Sequence, residues 1–225
     1  MPTPPSHERL VAQLLADARP VRPLWSPHTR LAVWLVLQAL TLGFAVEFGL
    51  RQDLGAHLRQ PLFLLEVGAL IAAGAMAAAG ALRTAVPGMA GGRWAVALLV
   101  LLGSAAVGLV SLEPATTISS VWGFMASGAQ CLACILAFSA LPWTALFLAV
   151  RRGAPLDAPL AGAFAGAAAF LFAAAAVRIA CPIDEGLHLL TWHTLPIAMG
   201  AALSGIAGAR WLDRWQRALD RREVP

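Results

Sequence analysis

Lysine is absent from the chain, and all sixteen basic residues are arginine. Charge of either sign is scarce. Asp, Glu, Lys and Arg make up 12% of the 225 residues, against roughly 25% in a soluble domain. That is too little to dress a water-facing surface, so an ordinary soluble fold is excluded. Only three cysteines occur, which rules out a disulfide-dense secreted module. Nucleophile-elbow, P-loop and HExxH sequences are all missing, so nothing points to a hydrolase, and the chain is expected not to be an enzyme. No internal repeat stands out. Apolar residues, at 59%, are too abundant for intrinsic disorder.

What is there is a series of long apolar runs. A spanning helix needs about 20 largely apolar residues. Six stretches qualify: 31–50, 61–82, 94–112, 130–150, 159–179 and 191–212. Thirty polar, proline-containing residues come first, with no short apolar run and cleavage site, so no leader peptide is expected. The expected fold is all-α and polytopic. A six-helix transmembrane domain (31–212) lies between an N-terminal segment (1–30) and a basic tail (213–225).

The arginines orient this bundle, because cytoplasmic loops collect basic residues. Thirteen fall on one side: Arg9, Arg19, Arg22 and Arg30, then Arg83 and Arg93, Arg151 and Arg152, and Arg210, Arg214, Arg217, Arg221 and Arg222. The other side holds Arg51, Arg59 and Arg178. Both termini are therefore expected in the cytoplasm of a bacterium, with the chain in its inner membrane. Loops 51–60, 113–129 and 180–190 face outward. The net charge of +4 records this orientation and does not mark a DNA-binding patch; the RWQRALDRR tail has an acid among its arginines.

Small residues at four-residue spacing, Gly162 with Gly166 and Gly200 with Ser204 with Gly208, predict close packing of the last two spans. Homo-oligomerisation is the alternative use of the same spacing. Trp94, Trp192, Trp211 and Trp215 lie near span ends, as interfacial aromatics do.

The N-terminal segment is too short for a core of its own. Its HERLVAQLLADA run reads as a short helix with Ser6 as N-cap, stopped by Pro20. Leu10, Val11, Leu14, Leu15 and Ala18 share one face, while Glu8, Gln13 and Asp17 fall elsewhere. Three turns of helix are marginal alone in water, so the apolar stripe must rest on something. Either the lipid surface or the groove of a soluble partner fits.

With this topology, chemistry-bearing residues far apart in sequence converge at the outward face. Cys131 and Cys134 begin the fourth span, Cys181 ends the fifth, and His188 and His193 lead into the sixth. Thiolate and imidazole together suit soft or borderline metals such as Zn, Cu(I) or Cd. No cofactor is expected to be obligatory, and these ligands leave room for transient binding of a soft divalent metal. Glu47, Glu66 and Arg178 also lie near outer span ends, where Glu66 and Arg178 are placed to neutralise each other. No ionisable residue sits at mid-depth, which argues against an ion-coupled transporter.

Several stretches together resemble the NrsF-like family of integral-membrane anti-sigma factors. They are LVAQLLADARPVRPLWSPHTRLAVWL near the N-terminus, Cys131 at the start of the fourth span, and CPIDEGLHLLTWHTLPIAMGAALSGIAGARWLDRW near the end. The resemblance covers essentially the whole chain. It implies a partner, an extracytoplasmic-function sigma factor held at the membrane by the N-terminal segment, where Leu10, Val11, Leu14, Leu15, Arg19 and Arg22 are the candidate contacts. It also implies that Cys131 and Cys181 sense periplasmic heavy-metal or oxidative stress. Two rivals read the same residues differently. A membrane thiol–disulfide oxidoreductase would use the CxxC pair, but it needs a second pair and only Cys181 remains. A haem- or metal-handling protein would use the histidines, but none is paired across facing helices.

Overall fold

The computed structural model describes residues 7–16, 23–47, 49–88, 103 and 120–212. Helices carry the architecture, and no strand occurs among the described residues. The longer ones are α1 (His7–Ala16), α2 (Pro27–Glu47), α4 (Pro61–Thr84), α5 (Val121–Arg151), α6 (Ala158–Ala180) and α8 (Leu195–Trp211). Short helices α3 (Leu54–His57) and α7 (Gly186–His188) lie in the connections. A π-helical segment, Leu189–Thr194, joins α7 to α8.

Four of these stretches are long and apolar enough to cross a membrane: Pro61–Thr84, Val121–Arg151, Ala158–Ala180 and the continuous run Gly186–Trp211. They coincide with the second, fourth, fifth and sixth expected spans. The first expected span folds as the 21-residue helix α2. The third, 94–112, and the tail 213–225 lie outside the described residues, apart from Gly103.

One boundary differs from the expectation. Residues 121–129, read as part of an outward loop, are the first turns of α5. Ser120 caps this start, its Oγ accepting from the Gly123 N–H at 3.3 Å. Gly123, Ser127, Gly128 and Gln130 dilute the hydropathy there, so the segment escapes a scan for apolar runs although it is helical. At 31 residues, α5 is about 46 Å long, some 15 Å more than the hydrocarbon core needs.

Helix α6 is the centre of the bundle, packing against α8, α4, α5 and α2. Its FAGAAAFLFAAAAV sequence supplies small side chains, and backbones approach closely as a result. A Cβ on Gly162 would stand 2.4 Å from the Ser204 carbonyl oxygen; one on Gly166 would stand 2.5 Å from that of Gly200. Ser204 Oγ donates to Gly162 O at 2.7 Å and accepts from Trp143 Nε1 at 2.7 Å. The small-residue ladder thus joins α6 to α8 inside the chain. Gly166→Val is expected to force these helices apart and to cost about 1–3 kcal/mol or more, read as a lower thermal midpoint in detergent. An unchanged midpoint would mean the ladder is not a tight contact.

Helix α2 is fastened near its N-terminal end, at Arg30 and Trp34. Arg30 donates to the Ala149 carbonyl near the end of α5, and Trp34 Nε1 donates to Pro142 O at 2.9 Å. The Trp34 ring also meets Phe172 of α6 edge-on, with centroids 5.5 Å apart. In α1, Val11 and Leu15 are exposed, at 40% and 70%. The side chains of Leu10 and Leu14, and Arg19 and Arg22 altogether, lie outside the described residues.

Candidate functional site

The N-terminal third of α5, the C-terminal end of α6 and the 181–194 connection enclose a cluster of sulfur and imidazole. Cys131 stands on α5 and Cys181 caps the C-terminus of α6. Their sulfurs lie 3.7 Å apart, and neither is in a disulfide. His188 Nε2 is 3.6 Å from the sulfur of Cys131 and 3.7 Å from that of Cys181. With His193, one ligand atom from each of the four residues lies within 4.8 Å of all the others. All four residues are buried. Hydrogen bonds, from Cys131 first and then from His188, hold the Cys181 thiol below the ordinary thiol value against the desolvation of its site.

The π-helical segment is what turns His193 inward. Pro196 follows it, and a proline lacks the N–H that would bond the carbonyl four residues back, that of Trp192, while its ring crowds that carbonyl. A widened turn relieves the conflict, and such turns recur at functional sites. The same turn lays Trp192 over Gly128 of α5, where a Cβ would stand 1.9 Å from the indole ring. Trp192 is therefore a packing residue as well as a span-end aromatic. Cys134, half-buried in the same apolar cluster as Cys131 and Ile135, stays outside the four-residue group.

A second network adjoins the first through the 181–188 loop. Arg178 Nε donates to both oxygens of Glu66, at 3.0 and 2.9 Å, and its Nη1 donates to Asp184 Oδ1 at 2.6 Å. Arg51 grips the same Asp184 with two bonds of 2.8 and 2.6 Å and also donates to Asp53. The Phe63 ring lies under both guanidiniums, at 5.0 Å from Arg178 and 6.0 Å from Arg51. Burial pushes the Asp184 carboxyl up, but the bonds from Arg51 and Arg178 outweigh it and hold the group below the usual carboxylate range. Asp53, His57 and Asp184 also converge. Arg51 bonds all three, so that convergence is an ion-pair clamp and not a cation site.

The expected pairing of Glu66 with Arg178 is therefore present, and both residues are buried. Glu47 is exposed at the end of α2. Asp184 and Arg51 were not anticipated. Their signal was available: Arg51 and Arg178 are two of only three arginines outside the arginine-rich side, so their countercharge had to come from the few acids of the same loops.

The family model for NrsF, described as negative regulator of sigma F, matches residues 14–215. The chain belongs to this family. A negative regulator of a sigma factor is an anti-sigma factor, so a sigma factor is the partner implied for this NrsF chain. No curated protein and no solved structure gives a significant match.

Proposed function

We propose that this NrsF chain is a six-span anti-sigma factor of the bacterial inner membrane with both termini in the cytoplasm. Residues 1–30 hold an extracytoplasmic-function sigma factor away from RNA polymerase, and residues 213–225 form a basic cytoplasmic tail. Reaction of the outward Cys131–Cys181 pair with a heavy metal or an oxidant releases the partner. The thirteen-to-three arginine distribution and the four membrane-length helices support the orientation. Family membership supports the partner.

The observation that carries the sensing part is the 3.7 Å approach of two free thiols, Cys131 about three turns into α5 and Cys181 at the C-terminus of α6. Arg30, the last residue of the N-terminal segment, meets α5 at Ala149. Eighteen residues separate Ala149 from Cys131, about 27 Å along the helix. A signal must therefore travel the thickness of the bundle. The loop from Cys181 to His188 carries Asp184, and Asp184 is tied to Arg51 just beyond α2. Movement of that loop pulls on α2, whose other end leads into the docking segment. Packed helices respond as units. Turning a partner from 99% bound to 99% free takes on the order of 5 kcal/mol, a scale that metal–thiolate or disulfide bonds supply and a single hydrogen bond does not.

The test has two arms. Cys131→Ser and Cys181→Ser should each abolish induction of the regulated genes by metal and oxidant while leaving repression in unstressed cells intact. Normal induction in both variants refutes the sensing role. In the second arm the protein is purified with and without residues 1–24, and the sigma factor should follow only the intact chain. Equal recovery by both forms places the docking surface elsewhere.

A further inference from the structure

The two histidines beside the thiol pair have no use in a sensor built on sulfur alone. His193 is 5% exposed, and neither of its ring nitrogens makes a hydrogen bond. A buried, unsatisfied polar ring costs free energy, and such groups mark a missing partner. The ring stands against His188, centroids 5.5 Å apart, and one of its nitrogens lies within 4.8 Å of both sulfurs without meeting hydrogen-bond geometry to either.

The distances identify the partner. Zinc binds thiolate at about 2.3 Å and imidazole at about 2.0–2.1 Å in tetrahedral geometry, so the edges of such a tetrahedron are about 3.8 Å from sulfur to sulfur and about 3.6 Å from sulfur to nitrogen. The corresponding separations here are 3.7 Å between the sulfurs and 3.6 and 3.7 Å from the sulfurs to His188 Nε2. A covalent S–S bond, at about 2.05 Å, matches none of them. Charge agrees as well. Two thiolates and two neutral imidazoles around a divalent ion sum to zero, the net charge that a buried site among Ile135, Ala173, Ala174 and Val177 holds at least cost.

The geometry points to a closed, four-coordinate site for a zinc-class divalent ion, with Cys131, Cys181, His188 and His193 as ligands and Cys134 excluded. This rests on the reading of Cys131 and Cys181 as the reactive pair and adds to it. The pair is held at coordination distance before any stress arrives, and metal occupancy competes with a disulfide for the same two sulfurs. Ligation also draws three separate pieces of chain together (α5, the end of α6 and the continuous run of α7 and the π-helical segment), so the ion staples the outward end of the bundle.

The test is titration of Co2+ alone into the full-length protein purified in detergent under reducing, metal-free conditions, with Zn2+ as competitor. The expected result is one Co2+ per chain, intense red-region d–d absorption typical of tetrahedral cobalt, a thiolate-to-cobalt charge-transfer band, and loss of both on adding Zn2+. His188→Gln and His193→Gln should each weaken binding by more than about a hundredfold, since even residues behind metal ligands cost about 10–100-fold. Cys134→Ser should leave the spectrum unchanged. Retained helix content and a single elution peak show that a variant is folded. Weak, pale octahedral spectra from the intact protein overturn the proposal, as does unchanged binding in both folded histidine variants. The readout needs no sigma factor. Failed cobalt binding with intact thiol-dependent induction therefore sinks the metal site alone, and a normal cobalt spectrum with induction surviving Cys131→Ser sinks the sensing role alone.

Discussion

Replacing Arg178 with leucine is expected to cost about 3–5 kcal/mol of folding free energy, the penalty for breaking a buried ion pair by removing one partner. Arg178 is 1% exposed and Glu66 is 6% exposed. Without the guanidinium, buried Glu66 loses the donor that holds both its oxygens, and Asp184 loses one of its two arginines. The loop that positions Cys181 and His188 is released at the same time. Thermal unfolding in detergent measures the first effect, and weakened cobalt binding the second. A double variant, Glu66→Leu with Arg178→Leu, should recover part of the loss, because hydrophobic replacement of both partners removes the stranded carboxyl group. Wild-type melting by the single variant would show that the pair is not a structural tie.

The same clamp has a defined response to acid. Asp184 is held below its unfolded value by Arg51 and Arg178. Its contribution is therefore complete above the unfolded carboxylate value of about 3.9 and is lost only as pH falls below it. Mild acidification to about pH 5 should leave the clamp closed.

The second large effect is expected at the other end of the molecule. Leu10→Asp with Leu14→Asp should free the sigma factor in unstressed cells and leave the membrane domain folded. Burying a leucine side chain is worth about 1.5–3 kcal/mol, so the pair contributes about 3–6 kcal/mol to a docked helix. That range spans the roughly 5.5 kcal/mol that separates 99% bound from 99% free. A reporter of the regulated genes should rise to its induced level without stress, and the sigma factor should no longer co-purify. Full repression by this variant would mean that the apolar stripe lies on lipid and that the partner is held elsewhere. Membrane insertion, followed by fractionation, should be unchanged, since the apolar runs begin at residue 31.

The amino-acid sequence gives an expectation of depth and sidedness. Hydropathy sums over about 20 residues place each span, and arginine counts choose its direction. Those two sums were enough to bring Cys131, Cys181, His188 and His193 to one level and to pair Glu66 with Arg178. They say nothing about rotation around a helix axis. Cys131 and Cys134 are three residues apart, about 60° out of register on a helix of 3.6 residues per turn. Only the packing of α5 against α6 tells which of them meets Cys181. The start of α5 at Val121 escaped for another reason: glycine and polar residues lower a local average without preventing a helix, provided Ser120 caps it.

Composition and the order of apolar and basic segments by themselves determined where the helices of membrane-spanning length and apolarity fall, and they proposed which flank carries sulfur and which carries the docking helix, because transfer free energy and charge bias are additive along a chain. The tertiary structure alone decided that Asp184 is shared by Arg51 and Arg178, that His193 is buried ahead of Pro196, and that two sulfurs and a ring nitrogen stand 3.6–3.7 Å from one another. Those are approaches between residues 50 to 133 positions apart, except for the pairs within the 178–193 stretch. They depend on how side chains of different helices interlock, which no sum taken along one strand of sequence contains.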